Sequence, residues 1–227
     1  MPGVAASRVA AIIPAAGLGV RFGADQPKAF FELAGLSLLT RSALALSAHA
    51  DVLVVAVPAE HLALAAQELD SVDAEVHIVV GGATRQDSVA SAMAVVPDDI
   101  DFVLVHDAAR PLVPATVIAQ VIESLGNGHR AVIPVLPVVD TIKRLDNNGH
   151  VVETVDRNSL RRVQTPQGFT KAVLVEAFSD PTHVATDEAG LVERLGVTVS
   201  TVPGSERAFK ITTPDDVAFA LSLLEEE

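Results

Sequence analysis

Short runs that are apolar at nearly every position recur along the chain: Val9 to Ile13, Val52 to Val57, Val76 to Val80, Phe102 to His106, Ala131 to Val135 and Val197 to Val202. Strands that face solvent on one side alternate, whereas continuous apolar runs belong to strands covered on both faces, so the pattern predicts a mostly parallel sheet between two helical layers. Helical spacing falls between these runs, at Leu39 to Ala48, Glu60 to Leu69, Asp87 to Val96, Pro114 to Ser124, Lys171 to Phe178, Asp187 to Leu195 and Pro214 to Leu224. Strand and helix therefore alternate, and the expected fold class is α/β, doubly wound.

Residues 136 to 167 break this rhythm. VDTIKRL and HVVETVDR both alternate, and the DNNG between them is a hairpin turn signal. Such a hairpin buries little against its own domain, so it reads as a protruding arm, with a partner subunit or solvent on its outer face. The rest of the 227 residues suits one domain.

Composition narrows the chemistry. The chain has no cysteine, which excludes disulfides, thiolate catalysis and zinc–sulfur sites and suits the cytoplasm. Its net charge of -13 argues against duplex nucleic acid and anionic membranes. Phosphate substrates stay open, because a cation about 4 Å from a phosphate gains about 4 kcal/mol at an effective dielectric of 20, whatever the total charge. Pro14, Gly17 and Gly19 interrupt the first apolar stretch, so it reads as a buried strand and not as a signal-peptide core.

The most informative stretch is AAIIPAAGLGVRFGADQPK, residues 10 to 28, where a strand runs into a glycine-rich turn that ends in Arg21 and Lys28. Small residues let backbone N–H groups approach an anion while long cationic side chains reach its outer oxygens. The glycines at 17, 19 and 23 do not have the spacing of a dinucleotide fingerprint, and Lys28 lies between Pro27 and Ala29, not in a P-loop. GGATRQDS after the third run offers Gly81 and Gly82 for close approach and Ser88 in a helix starting near Asp87. HDAARP after the fourth run places Asp107 and Arg110 at a strand end, where a carboxylate suits Mg²⁺ or a ribose hydroxyl. Ligands of such sheets sit beyond the carboxyl ends of the strands, so these segments are expected to converge. His106 is assigned no role, and Thr186 before Asp187 and Glu188 reads equally as a helix start.

Taken in order, PAAGLGVRF, DQPK, GGATRQDSV, VHDAARP, VVDTIKR, VDRNSLRRVQTPQGF, ATDEAG and FKITTPDD resemble the 2-C-methyl-D-erythritol 4-phosphate cytidylyltransferases of the non-mevalonate isoprenoid pathway, over Val9 to Asp216. The resemblance implies transfer of CMP from CTP to the methylerythritol phosphate with release of pyrophosphate, using Mg²⁺. Position by position, it implies that Arg21 and Lys28 stabilise the transition state, with Arg157 and Lys210 as further catalytic cations on the acceptor side. Ala15, Ala16, Gly17, Gly82 and Ser88 would line the CTP pocket, and Asp107 and Ala108 would lie near the ribose and the metal. Arg110, Thr141, Thr165 and Thr186 would face the acceptor phosphate. It also implies a homodimer that exchanges the arm, so that Arg157 serves the neighbouring site. Val20 stands where many relatives carry a basic residue, and the chain lacks the cyclase domain fused to some relatives, so one step is expected. A phosphomonoester loses its second proton near pH ~6 and needs no general base, which fits a chain without a convincing one. The alternatives are another sugar-alcohol phosphate as acceptor, such as ribitol 5-phosphate, and a nucleotide-binding regulatory module without turnover.

Overall fold

In the computed structural model, residues 7–17, 27–180 and 182–225 are described. Within them the first strand, β1 (Val9–Pro14), is followed by a short hairpin, β2 (Glu32–Leu33) and β3 (Leu36–Ser37), and by α1 (Leu38–Ser47). Next come β4 (Val52–Val57), α2 (Leu62–Leu69), β5 (Glu75–Val80), α3 (Arg85–Met93), β6 (Phe102–Val105) and α4 (Ala115–Gly126). The second half holds β7 (Ala131–Pro137), β8 (Ile142–Leu145), β9 (Val151–Val155), β10 (Arg161–Val163), β11 (Gln167–Thr170), α5 (Lys171–Ala177), α6 (Glu188–Arg194), β12 (Val199–Pro203) and α7 (Pro214–Glu225).

Eight strands form one sheet in the order β10-β7-β11-β6-β1-β4-β5, with β12 on β7. The pairs β1 with β4, β1 with β6, β4 with β5 and β7 with β12 are parallel. Only β10 and β11 run against their neighbours. The alternation of side chains across β1 explains its unbroken apolar run: Ala11 and Ile13 enter one core with α1, α2 and α4, while Ala10 and Ile12 enter a second with α3, α5 and α6. Both faces are covered, as the run predicts. Burying one such isoleucine contributes about 2 kcal/mol.

All six apolar runs are strands and all seven helical segments are helices, with ends shifted by up to three residues. The fourth strand stops at Val105, so His106 belongs to the loop beyond it. The second helical segment starts in a tighter 3₁₀ turn, Ala59–His61. β11 lay hidden in the sequence because QGFT has no apolar run, yet its Gly168 is needed: a Cβ there would come within 2.4 Å of Val121 on α4. Polar Gln167 is nonetheless buried, since both ends of its amide are bonded to the start of α6.

The stretch 136–167 is less detached than expected. β7 extends to Pro137 and β10 pairs with that end, so only β8 and β9 form a separate two-stranded ladder. The turn between them is fixed by Asp146, whose carboxylate accepts from the backbone N–H groups of Asn148 and His150, with Gly149 at φ 83°.

Candidate active site

The chain leaves β1 towards β4 and β5 on one side and returns to β6 on the other, which opens a crevice at the carboxyl ends of β1 and β6. A cavity of about 440 Å³ lies there. It is lined by Ala15, Ala16 and Gly17 after β1, Lys28, Gly82 to Thr84 between β5 and α3, Arg85 and Ser88 at the start of α3, Asp107 to Ala109 after β6, and Lys210 with Thr212 before α7. Three strand ends and one late segment thus meet, as the sequence pattern required.

Each wall has a local cause. Ala15 N–H donates to Ala56 O at 2.7 Å and carries the β1 turn alongside β4. Gly81 lies against the turn after β1 and Gly82 against α3, so closely that a Cβ would come within 2.5 Å of Ala16 and 2.2 Å of Asp87 respectively. Thr84 and Asp87 form a reciprocal capping box, so α3 starts at Arg85, not near Asp87. Ser88 is buried; its hydroxyl donates to Thr84 O at 2.9 Å and accepts from Gly82 N–H at 3.1 Å, shaping the loop from within. The buried Ser42 hydroxyl donates to Ala108 O, and Ile211 N–H donates to Ala109 O at 2.8 Å. That second bond seats Lys210 beside the β6 turn.

Asp107 is the electrostatic centre. Oδ1 accepts from Arg85 Nε at 3.0 Å, Oδ2 accepts from Lys210 Nζ at 2.9 Å, and Arg110 Nε lies 3.7 Å from Oδ2. Burial alone would push this carboxyl up, but Arg85 first and Lys210 next hold it well below the usual carboxylate range. Arg85 also donates through Nη1 to both oxygens of Glu188, at 2.7 and 2.9 Å. The Glu188 side chain is 1% exposed, and burial raises its carboxyl despite the guanidinium. Burial tends to lower the Arg85 pKa, but Glu188 and Asp107 together hold it above the usual arginine range.

His106 is fully buried and burial lowers it to about 4, so it is neutral near pH 7. Its ring is spanned by the Thr165 hydroxyl on Nδ1 and Arg110 O near Nε2. Thr165 Oγ1 also accepts from Asp107 N–H at 3.1 Å, which places Thr165 behind the strand end as a support. Arg110 is similarly turned inward, with Nη1 donating to Ala208 O at 2.7 Å.

Of the residues singled out from sequence, Ala15, Ala16, Gly17, Lys28, Gly82, Ser88, Asp107, Ala108 and Lys210 meet in the cavity wall. Arg21 lies outside the described residues. Arg110 and Thr165 stand behind the wall, and Thr141, Arg157 and Thr186 are exposed and apart from it. Arg157 donates to Val139 O at the base of the β8–β9 hairpin. Sequence reasoning left Arg85 and Glu188 unassigned. Arg85 stood in a quoted block, and Glu188 passed for an acid matched to a helix start; its burial has no local signature.

A divalent cation fits on one condition. Among the described residues, Asp107 is the single carboxylate lining the cavity, and no group of acids or histidines could hold a metal ion by itself. Mg²⁺ carried on a triphosphate would need only one or two protein carboxylates, and Asp107 is the residue that would supply one.

The family described as "IspD: 2-C-methyl-D-erythritol 4-phosphate cytidylyltransferase" matches residues 9–226. A protein of that name from Rhodococcus jostii is 51% identical over 96% of this chain and 96% of its own, and one from Saccharopolyspora erythraea is 51% identical over 95% and 99%. Among solved structures, 2-C-methyl-D-erythritol 4-phosphate cytidylyltransferase from Thermus thermophilus superposes with a TM-score of 0.79 at 36% identity, covering 96% of this chain and 99% of its own. The 4-diphosphocytidyl-2C-methyl-D-erythritol synthase from Anaerococcus prevotii reaches a TM-score of 0.84 at 26% identity, over 96% and 99% of the two chains.

Proposed function

Because the chain belongs to the 2-C-methyl-D-erythritol 4-phosphate cytidylyltransferase family, we propose that its cavity binds CTP and transfers CMP to 2-C-methyl-D-erythritol 4-phosphate, releasing pyrophosphate. The observation that carries this reading is the meeting of Lys28 and Lys210 with the Gly82–Thr84 loop and the start of α3 at one switch-point crevice. The loop offers backbone groups to a base, and the two ammonium groups offer charge to its phosphates.

An oxygen of the acceptor phosphate attacks the α-phosphorus of CTP, forming a new P–O bond while the bond to the bridging α–β oxygen breaks. Pyrophosphate leaves with that electron pair. The attacking oxygen is already anionic at neutral pH, so no side chain has to take a proton. What remains is repulsion between polyanions, and Lys28, Lys210 and, by its motif, Arg21 answer it with pre-placed positive charge. When bound, Mg²⁺ neutralises phosphate oxygens; Asp107 is the residue that would hold it. Arg110, Thr141, Thr165 and Thr186 are assigned to the acceptor side by their motifs, Arg110 and Thr165 from behind the wall.

The β8–β9 hairpin is assigned to a homodimer contact. Val139, Leu145, Val151 and Val152 are exposed there, and by its motif Arg157 at the base is assigned to the neighbouring subunit's site. No helix among the described residues is long and apolar enough to cross a membrane, and we assign the enzyme to the cytoplasm. The acceptor is tested by incubating the protein with CTP, Mg²⁺ and either methylerythritol phosphate or ribitol 5-phosphate. Pyrophosphate release with the former alone is expected; release only with the latter would replace the acceptor, and CTP binding without release would leave a regulatory module.

A further inference from the structure

Two charged residues at the cavity have no part in the transfer itself: Glu188, whose side chain is 1% exposed, and Arg85, at 29%. Arg85 opens α3 and Glu188 opens α6, and their ion pair joins segments 103 residues apart. Each end is fixed independently. The capping box of Thr84 and Asp87 sets the start of α3, while Gln167 donates to Asp187 Oδ2 at 2.7 Å and accepts from Ala189 N–H at 3.1 Å to set the start of α6. Burying a charged pair usually gains little stability over apolar residues of the same volume. Its effect here is on orientation, because the fork of Arg85 spends Nη1 on Glu188 and presents Nε to Oδ1 of Asp107.

We propose that Arg85 and Glu188 are positioning residues for CTP: Glu188 anchors Arg85, Arg85 fixes one oxygen of Asp107, and the carboxylate so shared keeps Lys210 in the cavity while leaving it able to move to the triphosphate. A carboxylate already bonded to one guanidinium attracts a second cation less strongly than a bare one. The geometry divides the partners accordingly. The Arg85 side chain is 29% exposed and bonded on both sides, whereas Lys210 is 43% exposed and Asp107 is the one partner its ammonium has among the described hydrogen bonds. Lys210 is the cation poised to exchange.

The inference rests on the cytidyl transfer proposed above, and its test separates the two. Arg85→Lys keeps the charge that balances Glu188 but has no second arm for Asp107, so KM for CTP is expected to rise about tenfold or more while KM for the acceptor and the melting temperature stay near wild type. Glu188→Gln is expected to raise KM for CTP by a smaller factor, and calorimetric CTP affinity without acceptor should fall in the same order. If Arg85→Lys does not fold, Glu188→Gln decides alone. Wild-type KM and affinity for CTP in a folded variant would overturn the proposal, as would equal losses for CTP and acceptor together with a lowered melting temperature. Should the wild type release no pyrophosphate, the transfer reading fails, and the order of CTP affinities still decides the role of the pair.

Discussion

The cavity and the β8–β9 hairpin carry the same kinds of charged residue and put them to opposite use. In the hairpin, Arg144 bonds Glu153 at 2.7 Å with side chains 63% and 52% exposed. Around the cavity, Arg85, Glu188 and Asp107 bond at similar lengths with exposures of 29%, 1% and 11%. Bond length alone does not separate the two regions. Water screens the first pair and leaves it worth little, while the second set is shielded and fixed at two helix starts, so its charge is directed at whatever enters the cavity.

Removing a cavity cation should therefore have the largest effect. Lys28→Ala is expected to lower kcat by on the order of 10²- to 10³-fold, as for loss of one preorganised donor to the transition state, with smaller changes in KM. Stopped-flow pyrophosphate release checks this. Across the two regions, Arg157→Ala and Lys28→Ala proteins mixed under subunit exchange should regain about a quarter of wild-type activity, because half the dimers then hold one intact composite site. No recovery despite proven exchange would confine Arg157 to its own chain.

Gly82→Ala tests the wall itself. The added methyl group collides with Asp87 at the start of α3, so a loss of about 1–3 kcal/mol in stability and a raised KM for CTP are expected from urea unfolding and kinetics. Asp216 supplies a milder case, since its carboxylate accepts from Thr212 N–H, Thr212 Oγ1 and Thr213 N–H at the start of α7. Burial alone would raise this group, but those hydrogen bonds outweigh it and lower it. A lowered folded pKa means stabilisation that is full above the unfolded aspartate value of about 3.9 and lost as pH falls through the folded value. Asp216→Asn should melt a few degrees lower at pH 7, as for a lost cap, with the gap closing in acid. Least affected should be the hairpin: Arg144→Ala or Glu153→Ala should leave the urea midpoint close to wild type.

The same contrast marks what the sequence could reveal. Runs such as Val52–Val57 announce a doubly covered strand because every position is apolar, and the glycine-bearing ends of such strands announce a cavity wall because ligands of these sheets sit beyond the carboxyl ends of the strands. β11 and Glu188 gave no such sign. Both depend on contacts distant in sequence, Gly168 on α4 and Glu188 on Arg85, and a four-residue polar strand or a buried acid looks locally like a loop or a helix start. Arg110 and Thr165 lay within recognised blocks, yet only the folded arrangement reveals that they stand behind Asp107.

The most direct measurement is pyrophosphate release by the wild-type protein with methylerythritol phosphate, Mg²⁺ and CTP, UTP, ATP or GTP in turn. Rapid release with CTP and little with the others is expected under the proposal that the cavity reads the base at the turn from Gly82 into α3 and the phosphates through Lys28 and Lys210. Equal release with all four, or none with any, would contradict it.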